Sequence, residues 1–176
     1  EMVKAPPYPL PVWEAAQQKW EQAIQYLEAV PAETAAYDEA QAKLVSYQTN
    51  QSAIVQRIET EKKAADNYET GKRLSDEFAV LIQPISYPAQ EDLPVLDQAS
   101  AKLEMAVKAF QDIPSGTATS ELAKESADSY GRNYQALQSV IQTLENCELE
   151  AAFDCGAYED TWTILLSNSE EMYKVP

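Results

Sequence analysis

Histidine is absent from this sequence, and its absence excludes several kinds of active site. Without an imidazole, the chain has no Ser-His-Asp triad, no Cys-His pair and no histidine ligand for haem. Di-iron carboxylate bundles are excluded as well, because they need Glu-x-x-His pairs. The phosphate-binding loops Gly-x-Gly-x-x-Gly and Gly-x-x-x-x-Gly-Lys-Ser/Thr are also missing. The sequence therefore predicts a protein that is not an enzyme and that binds no cofactor.

Glycine and positive charge are both in short supply. Only 4 glycines occur, whereas sheet-rich and phosphate-binding folds use many in their turns, so the composition favours helices. The 13 basic residues are outnumbered by 29 acidic ones, which gives a net charge of −16. This charge makes nucleic acid and anionic membranes poor partners, and we interpret it mainly as an aid to solubility.

Long apolar runs are missing too. The densest run, residues 78–82, is far shorter than the ~20 apolar residues of a membrane-spanning helix, so the sequence predicts no transmembrane segment. The chain begins with Glu1-Met2 rather than with an initiator methionine. We therefore expect either that a signal peptide or a membrane anchor was removed upstream of residue 1, or that the sequence was trimmed.

Cysteine occurs only twice, at Cys147 and Cys155. Two cysteines this close together, with none elsewhere, predict one local disulfide and an oxidising compartment. The alternative is a pair of buried free thiols in a cytosolic protein. No metal site is expected on this pair, because two thiolates still need two further ligands. The acidic residues between Glu145 and Asp160 lack the spacing of an EF-hand and predict no calcium site.

The chain contains an internal duplication. Residues 10–58 align with residues 93–141 without a gap, at an offset of 83, with 16 identities in 49 positions. Apolar positions that differ still agree in kind, as Trp20 and Leu103 do. Ungapped agreement of this sort indicates a repeated structural element, and we call the two stretches the first copy and the second copy.

Each copy predicts a helix, a turn and a second helix. In the first copy, apolar residues recur every three or four positions from Trp13 to Val30, which is the pattern of an amphipathic helix. Pro31 then ends the helix, because proline cannot continue the hydrogen-bond ladder. Thr34 is the predicted N-cap of the next helix, and Thr117 is its equivalent in the second copy.

The second helix of each copy is expected to be longer than the first. A heptad-like seam runs from Tyr37 to Tyr68, with Gln51 and Glu61 as polar interruptions and Ala65 among its members. At ~1.5 Å per residue, the first helix spans about 27 Å and the second about 45 Å or more. The overhang needs a cover from the chain's ends, from the linker or from a partner. The sequence leaves open whether the long helix breaks at Gly71 or continues to residue 82.

The predicted fold is all-α. It is an antiparallel helical bundle made of two tandem helical hairpins, that is four main helices, plus a short C-terminal helix over residues 158–173. The predicted disulfide connects the end of the second hairpin to that last helix. We divide this single domain, residues 1–176, into a first hairpin (10–82), a proline-containing linker (83–95), a second hairpin (93–146) and a disulfide-tethered tail (147–176).

The first copy carries the pattern Trp13-x2-Ala16-x3-Trp20-x2-Ala23-Ile24-x2-Leu27-x2-Val30-Pro31, followed by Tyr37-x2-Ala40-Gln41-x-Lys43-Leu44-x2-Tyr47-x2-Asn50. This pattern resembles helical-hairpin repeat segments of uncharacterised cyanobacterial periplasmic or lumenal proteins. It also looks loosely like the junction between two tetratricopeptide units. The resemblance covers residues 13–58 well and residues 96–141 less well, and it implies non-enzymatic helical scaffolding outside the cytoplasm.

Aromatic residues are the remaining candidates for function. Trp20 and Tyr47 lie on the apolar stripes and are predicted to be in the core. Other tyrosines lie off the stripes or beside proline and glycine, so we expect them to be exposed and to contact a partner. These candidate contact residues are Tyr8, Tyr26, Tyr87 and Tyr158.

Two functions from different classes agree with these observations. The leading hypothesis is a non-catalytic structural or protein-interaction protein, such as a scaffold, an assembly factor or an accessory subunit. It would act in the periplasm, in the thylakoid lumen or at the cell surface, with another protein or protein complex as its partner. The alternative is a small-ligand or metal-ion carrier with a site between the helices.

Overall fold

The structure, a computed structural model, describes residues 7–146 and 159–172, and it describes side chains of the last helix from residue 160 to residue 168. The helices are α1 (Leu10–Glu28), α2 (Tyr37–Ile82), α3 (Leu93–Gln111), α4 (Ser120–Glu145) and α5 (Glu159–Met172), with one 3-10 turn at Gln90–Asp92. These described ranges contain no β-strand, so the predicted all-α class is confirmed. No helix in them combines the length and the apolar character needed to cross a membrane.

The duplication reappears in the helix boundaries. α1 and α3 contain 19 residues each, and their first and last residues are related by the offset of 83 that relates the two copies. α2 and α4 also begin at equivalent positions, Tyr37 and Ser120. Both α1 and α3 carry a proline in their first turn, where an N–H would have no partner within the helix.

The turn between the first and second helix has the same hydrogen bonds in both copies. The N–H and the hydroxyl of Thr34 both donate to the Pro31 carbonyl, at 3.0 and 2.8 Å. Thr117 donates in the same way to the Pro114 carbonyl, at 3.4 and 2.9 Å. The prediction that these threonines are N-caps is therefore wrong. The helices begin three residues later, because the hydroxyls close the turn at proline instead.

α2 continues through Gly71 without a break and contains 46 residues, whereas α4 contains 26. Gly71 lies against the ring of Phe110 in α3, where an added Cβ would be 2.6 Å from the Cε1 and Cζ atoms of that ring. The glycine therefore permits a close approach of two helices and does not end one. The buried face of α2 also differs from the predicted seam near residue 65. The spacing predicted that Ala65 is buried, but Ala65 is exposed and Ala64 is buried instead.

The chain divides into two compact units that cut across the repeat. Unit 1 comprises Glu1–Asp66 with Pro114–Ser120, and unit 2 comprises Asn67–Ile113 with Glu121–Pro176. Unit 1 therefore contains α1 and the first part of α2. Unit 2 contains the last part of α2, together with α3, α5 and nearly all of α4.

The core of unit 2 receives buried side chains from four helices. Trp162 of α5 is part of it, and its indole N–H donates to the Ile85 carbonyl at 3.0 Å. The predicted C-terminal helix is thus present and packed. The buried members of this core are Phe78, Ala79 and Ile82 of α2, Leu96, Ala99 and Leu103 of α3, Leu137, Val140, Ile141 and Leu144 of α4, and Trp162 and Leu165 of α5.

Replacing Gly71 with alanine is expected to destabilise the protein. The Phe110 ring cannot easily move, because it is stacked on Tyr130 at 5.6 Å and meets Tyr68 edge-on at 5.6 Å. We expect the free energy of unfolding to fall by about 1–2 kcal/mol, since overpacking outweighs the helix propensity that alanine adds. Urea unfolding followed by circular dichroism measures the change.

Gly131→Ala is the matched control, because this glycine lies in α4 with nothing within 4 Å of its added Cβ. It should raise the free energy of unfolding by about 0.5–1 kcal/mol through helix propensity alone. Equal effects of the two substitutions would contradict the close contact at Gly71.

Candidate interaction groove

α1 and the first part of α2 form an open groove in unit 1. It is lined by Lys19, Trp20 and Ala23 of α1 and by Tyr47 of α2, and its volume is about 240 Å³. The three α1 residues share one side of the helix, because residues three and four apart are neighbours on its surface. The rings of Trp20 and Tyr47 meet edge to face, with their centroids 4.8 Å apart. We call these four residues the open groove.

The equivalent positions of the second copy line a groove that is filled. Lys102, Leu103, Ala106 and Tyr130 correspond to the open-groove residues, and three of the four are identical in type. Leu103 and Ala106 are completely buried. Trp20 and Ala23, their equivalents in the first copy, are only half-buried. We call the second set the filled groove.

The last part of α2 occupies the filled groove within unit 2. Glu77 of α2 lies 2.5 Å from the Lys102 ammonium through its Oε2 atom. The Ser75 hydroxyl donates to the Gly71 carbonyl at 2.8 Å and lies near enough to the Tyr130 phenol to lower its pKa. Gly71 brings the helix backbone against Phe110. One helix therefore supplies a carboxylate, a hydroxyl and a close backbone approach to the side chains that line this groove.

The charges in the filled groove are matched. Hydrogen bonds from Lys102 and then Arg73 lower the pKa of the Glu77 carboxyl below its usual value. Burial raises the pKa of the Tyr130 phenol, and its hydrogen bond with Ser75 opposes that rise. At neutral pH the Glu77 carboxylate is therefore charged, as its ion pairs require, and the Tyr130 phenol is neutral because of its burial.

Lys19, in contrast, forms no ion pair with any residue in the described part of the chain. Lys19 lines the open groove together with the half-buried Trp20 and Tyr47. The open groove therefore combines one uncompensated positive charge with an apolar, aromatic surface. Chemically, such a surface suits a ligand that has a carboxylate next to an apolar group.

A buried ion pair lies elsewhere in unit 1. Glu61, only 3% exposed, accepts hydrogen bonds from Arg57 Nη2 at 2.6 Å and from the Ala118 N–H at 3.0 Å. Arg57 also donates to the Gly116 carbonyl and lies over the Trp13 ring, 5.3 Å from its centroid. These contacts bind the loop before α4 to α2, so the polar interruption at Glu61 has a structural role.

The aromatic residues expected to contact a partner have different environments. Tyr26 and Tyr87 are the most exposed, at 76% each. Tyr8 is half-buried, and its ring packs edge-on against Trp13 while its carbonyl accepts the Trp13 N–H at 3.1 Å. Tyr158 lies outside the described residues, as do Cys147 and Cys155. Whether any of these tyrosines contacts a partner stays a prediction.

Tyr87 borders a second, wider depression, in unit 2. Its volume is about 610 Å³, and it follows the linker between α2 and α3. The depression has no basic residue in its lining, which consists of Leu81, Pro84, Ile85, Ser86, Tyr87, Asp92 and Val95. Across the described ranges, no three His, Cys, Asp or Glu side chains come together as they would in a metal site.

Sequence reasoning missed the open groove. Trp20 and Tyr47 were expected in the core, but both are half-buried. A signal was present in the duplication, because Lys19 and Tyr47 have identical residues at their equivalent positions. A lysine repeated on the edge of an apolar stripe indicates a recurring charged contact. Only the structure shows that this contact is made in one copy and open in the other.

The chain matches no model of a known protein family, no curated protein and no solved structure. The functional interpretation therefore depends on the chemistry of the two grooves.

Removing the charge of Glu61 is expected to weaken unit 1. Glu61→Gln keeps the shape of the side chain but leaves the partly buried Arg57 guanidinium without its carboxylate. We expect a loss of about 2 kcal/mol in the free energy of unfolding. Glu14→Gln removes an exposed pair with Lys62 and should cost less than about 0.5 kcal/mol. Urea titration measures both, and similar losses would contradict a structural role for Glu61.

The Lys102–Glu77 pair should make stability depend on pH in the acidic range. The pKa of Glu77 is lower in the folded protein than in the unfolded chain, so the pair stabilises the fold above the usual carboxyl range. That stabilisation disappears as the pH falls through the lowered pKa. We expect Lys102→Met to lower the melting temperature at pH 7 and to have little effect near pH 3. Lys124→Met, at an exposed position of α4, is the control and should show no such trend. A Lys102→Met effect of equal size at both pH values would contradict the assignment.

Proposed function

We propose that this chain is a non-catalytic interaction protein, a scaffold, assembly factor or accessory subunit, that works outside the cytoplasm. The observation that carries the proposal is the difference between the two grooves. Side chains that contact a helix in the second copy are open in the first copy, although three of the four are identical. An aromatic surface with an unpaired cation is the kind of surface that a protein partner covers.

The duplication supports a scaffold of two tandem antiparallel helical hairpins. Equivalent helix boundaries and equivalent Pro-Thr turns are the expected result of repeating one structural element. A hairpin of two amphipathic helices cannot bury both of its apolar stripes by itself. A protein built from such hairpins offers its uncovered stripe to another helix, from its own chain or from a partner.

The proposed compartment is the periplasm, the thylakoid lumen or the cell surface. It is supported by the Cys147/Cys155 spacing, which suits a local disulfide in an oxidising environment. The resemblance of the first copy to cyanobacterial periplasmic and lumenal repeat segments points in the same direction.

The second candidate function is a carrier of a small ligand or a metal ion. The small-ligand form is favoured by one observation, the recess of about 240 Å³ beside Lys19, Trp20 and Tyr47. A small planar carboxylate could pair with the ammonium and stack on a ring. Native mass spectrometry of freshly purified protein separates the two functions, because a carrier keeps its ligand and an interaction protein does not.

Affinity capture from the envelope fraction of the source organism tests the leading proposal. With the full chain as bait, we expect one dominant partner complex that 0.5 M salt weakens, because Lys19 contributes through charge. The Lys19→Glu bait should lose this partner. A Lys63→Glu bait has the same change of charge at an exposed position outside the groove and should retain it. Capture that is indifferent to Lys19, or a bound small molecule in place of a protein, would overturn the proposal.

A further inference from the structure

One groove occurs twice in this chain, once open and once filled, so the filled copy is a guide to what the open copy binds. The lining differs only at Trp20, which is Leu103 in the filled groove. The larger indole extends the apolar surface at that position, and its half-exposed ring is available for contact. The same side chains at the same helical positions select the same chemistry in an occupant.

The occupant of the filled groove has a distinct pattern. It is the last part of α2, where small residues occur every fourth position at Gly71, Ser75 and Ala79. Residues four apart share one face of a helix, so these three place the backbone close to α3 and α4. Phe78 is completely buried in the core of unit 2. Glu77, beside it in sequence, directs its carboxylate to Lys102.

Charge identifies what the open groove lacks. Lys102 is neutralised by a carboxylate of the helix that fills its groove. Lys19, its equivalent, has no ion-pair partner among the described residues. The side chain that completes the open groove is therefore an acidic one, although the chain as a whole carries a net charge of −16. At physiological salt, charges further away than about 8 Å are largely screened. The charge preference of the open groove is therefore set by Lys19 and not by the net charge of the chain.

We propose that the open groove binds an acidic amphipathic helix of a partner protein, with small residues at every fourth position and a carboxylate that pairs with Lys19. This inference rests on the proposed interaction function and specifies its partner. A second copy of this chain does not supply the helix from its own α2. There the matching segment is already used, since Phe78, Ala79 and Ile82 are buried in the core of unit 2.

A peptide with the sequence of residues 69–83 is the direct probe. A helix of this length is marginal in water, so a side-chain lactam between Glu69 and a lysine in place of Arg73 should constrain it. Both positions are exposed in α2, four residues apart, and lie on the side of the helix opposite Gly71, Ser75 and Ala79. Fluorescence anisotropy of the labelled peptide, titrated with the full-length protein, gives the dissociation constant.

We expect saturable binding to the wild-type protein and a loss of at least tenfold in affinity for Lys19→Glu. Lys63→Glu should bind within twofold of wild type. A peptide with Glu77→Lys should bind wild type poorly and Lys19→Glu well. That reversal of charge preference would assign the contact to one pair of side chains, and it cannot result from misfolding of a variant.

Three outcomes would overturn the inference: no binding at 1 mM protein, equal binding to wild type and Lys19→Glu, or binding lost in Lys102→Met in place of Lys19→Glu. The last result would mean that the peptide displaces the chain's own α2 from the filled groove. If the peptide fails while a captured partner still depends on Lys19, only the helical nature of the partner is wrong. If the peptide and the Lys19-dependent capture both fail, the interaction function fails with them.

Discussion

The structure depends on covering the apolar stripe of α3. That stripe is sealed in unit 2 by the last part of α2, by α4 and by α5, and its residues Leu96, Ala99 and Leu103 are completely buried. The approach of α2 is close enough that Gly71 leaves no room for a Cβ beside Phe110. Because protein interiors are packed as densely as organic crystals, such a contact fixes the helices on both sides. This contact between Gly71 and Phe110 goes together with three other features. They are the unbroken course of α2, the position of Tyr130 and the ion pair of Lys102.

The two copies share their helix boundaries but differ in the residues at two equivalent positions of their second helices. Val140 and Leu144 belong to the apolar core of unit 2, whereas their equivalents in the first copy are Arg57 and Glu61. A buried ion pair is no more stabilising than a well-packed apolar pair, and its geometry is far more restrictive. In unit 1 this pair fixes the loop before α4, and Trp20 and Ala23 of the α1 stripe are only half-buried. The groove of the first copy is open, and it is the surface on which the proposed partner binding depends.

The proposed interaction function depends on few side chains. Trp and Tyr near the centre of an interface often contribute most of the binding free energy, and the open groove has one of each beside Lys19. Acidic residues outnumber basic ones on the chain, and a net charge of −16 favours solubility. In the proposed function, Lys19 therefore selects a partner by its position and not by the overall charge.

The sequence by itself determined the helical class and the duplication, and it placed the end of α1 at Val30, about two residues beyond its observed end at Glu28, because the 3-4 spacing of apolar residues and the position of Pro31 are local features. It could not determine whether α2 breaks at Gly71, since glycine ends a helix or permits close packing depending on what lies opposite, and only the position of Phe110 decides. It also could not show that Trp20 is half-exposed while Leu103 is buried. Equivalent positions in a repeat have equal local propensities, and their burial depends on which other helix packs against them. The open groove is therefore a product of the tertiary structure, whereas its lysine and tyrosine were already visible in the repeat.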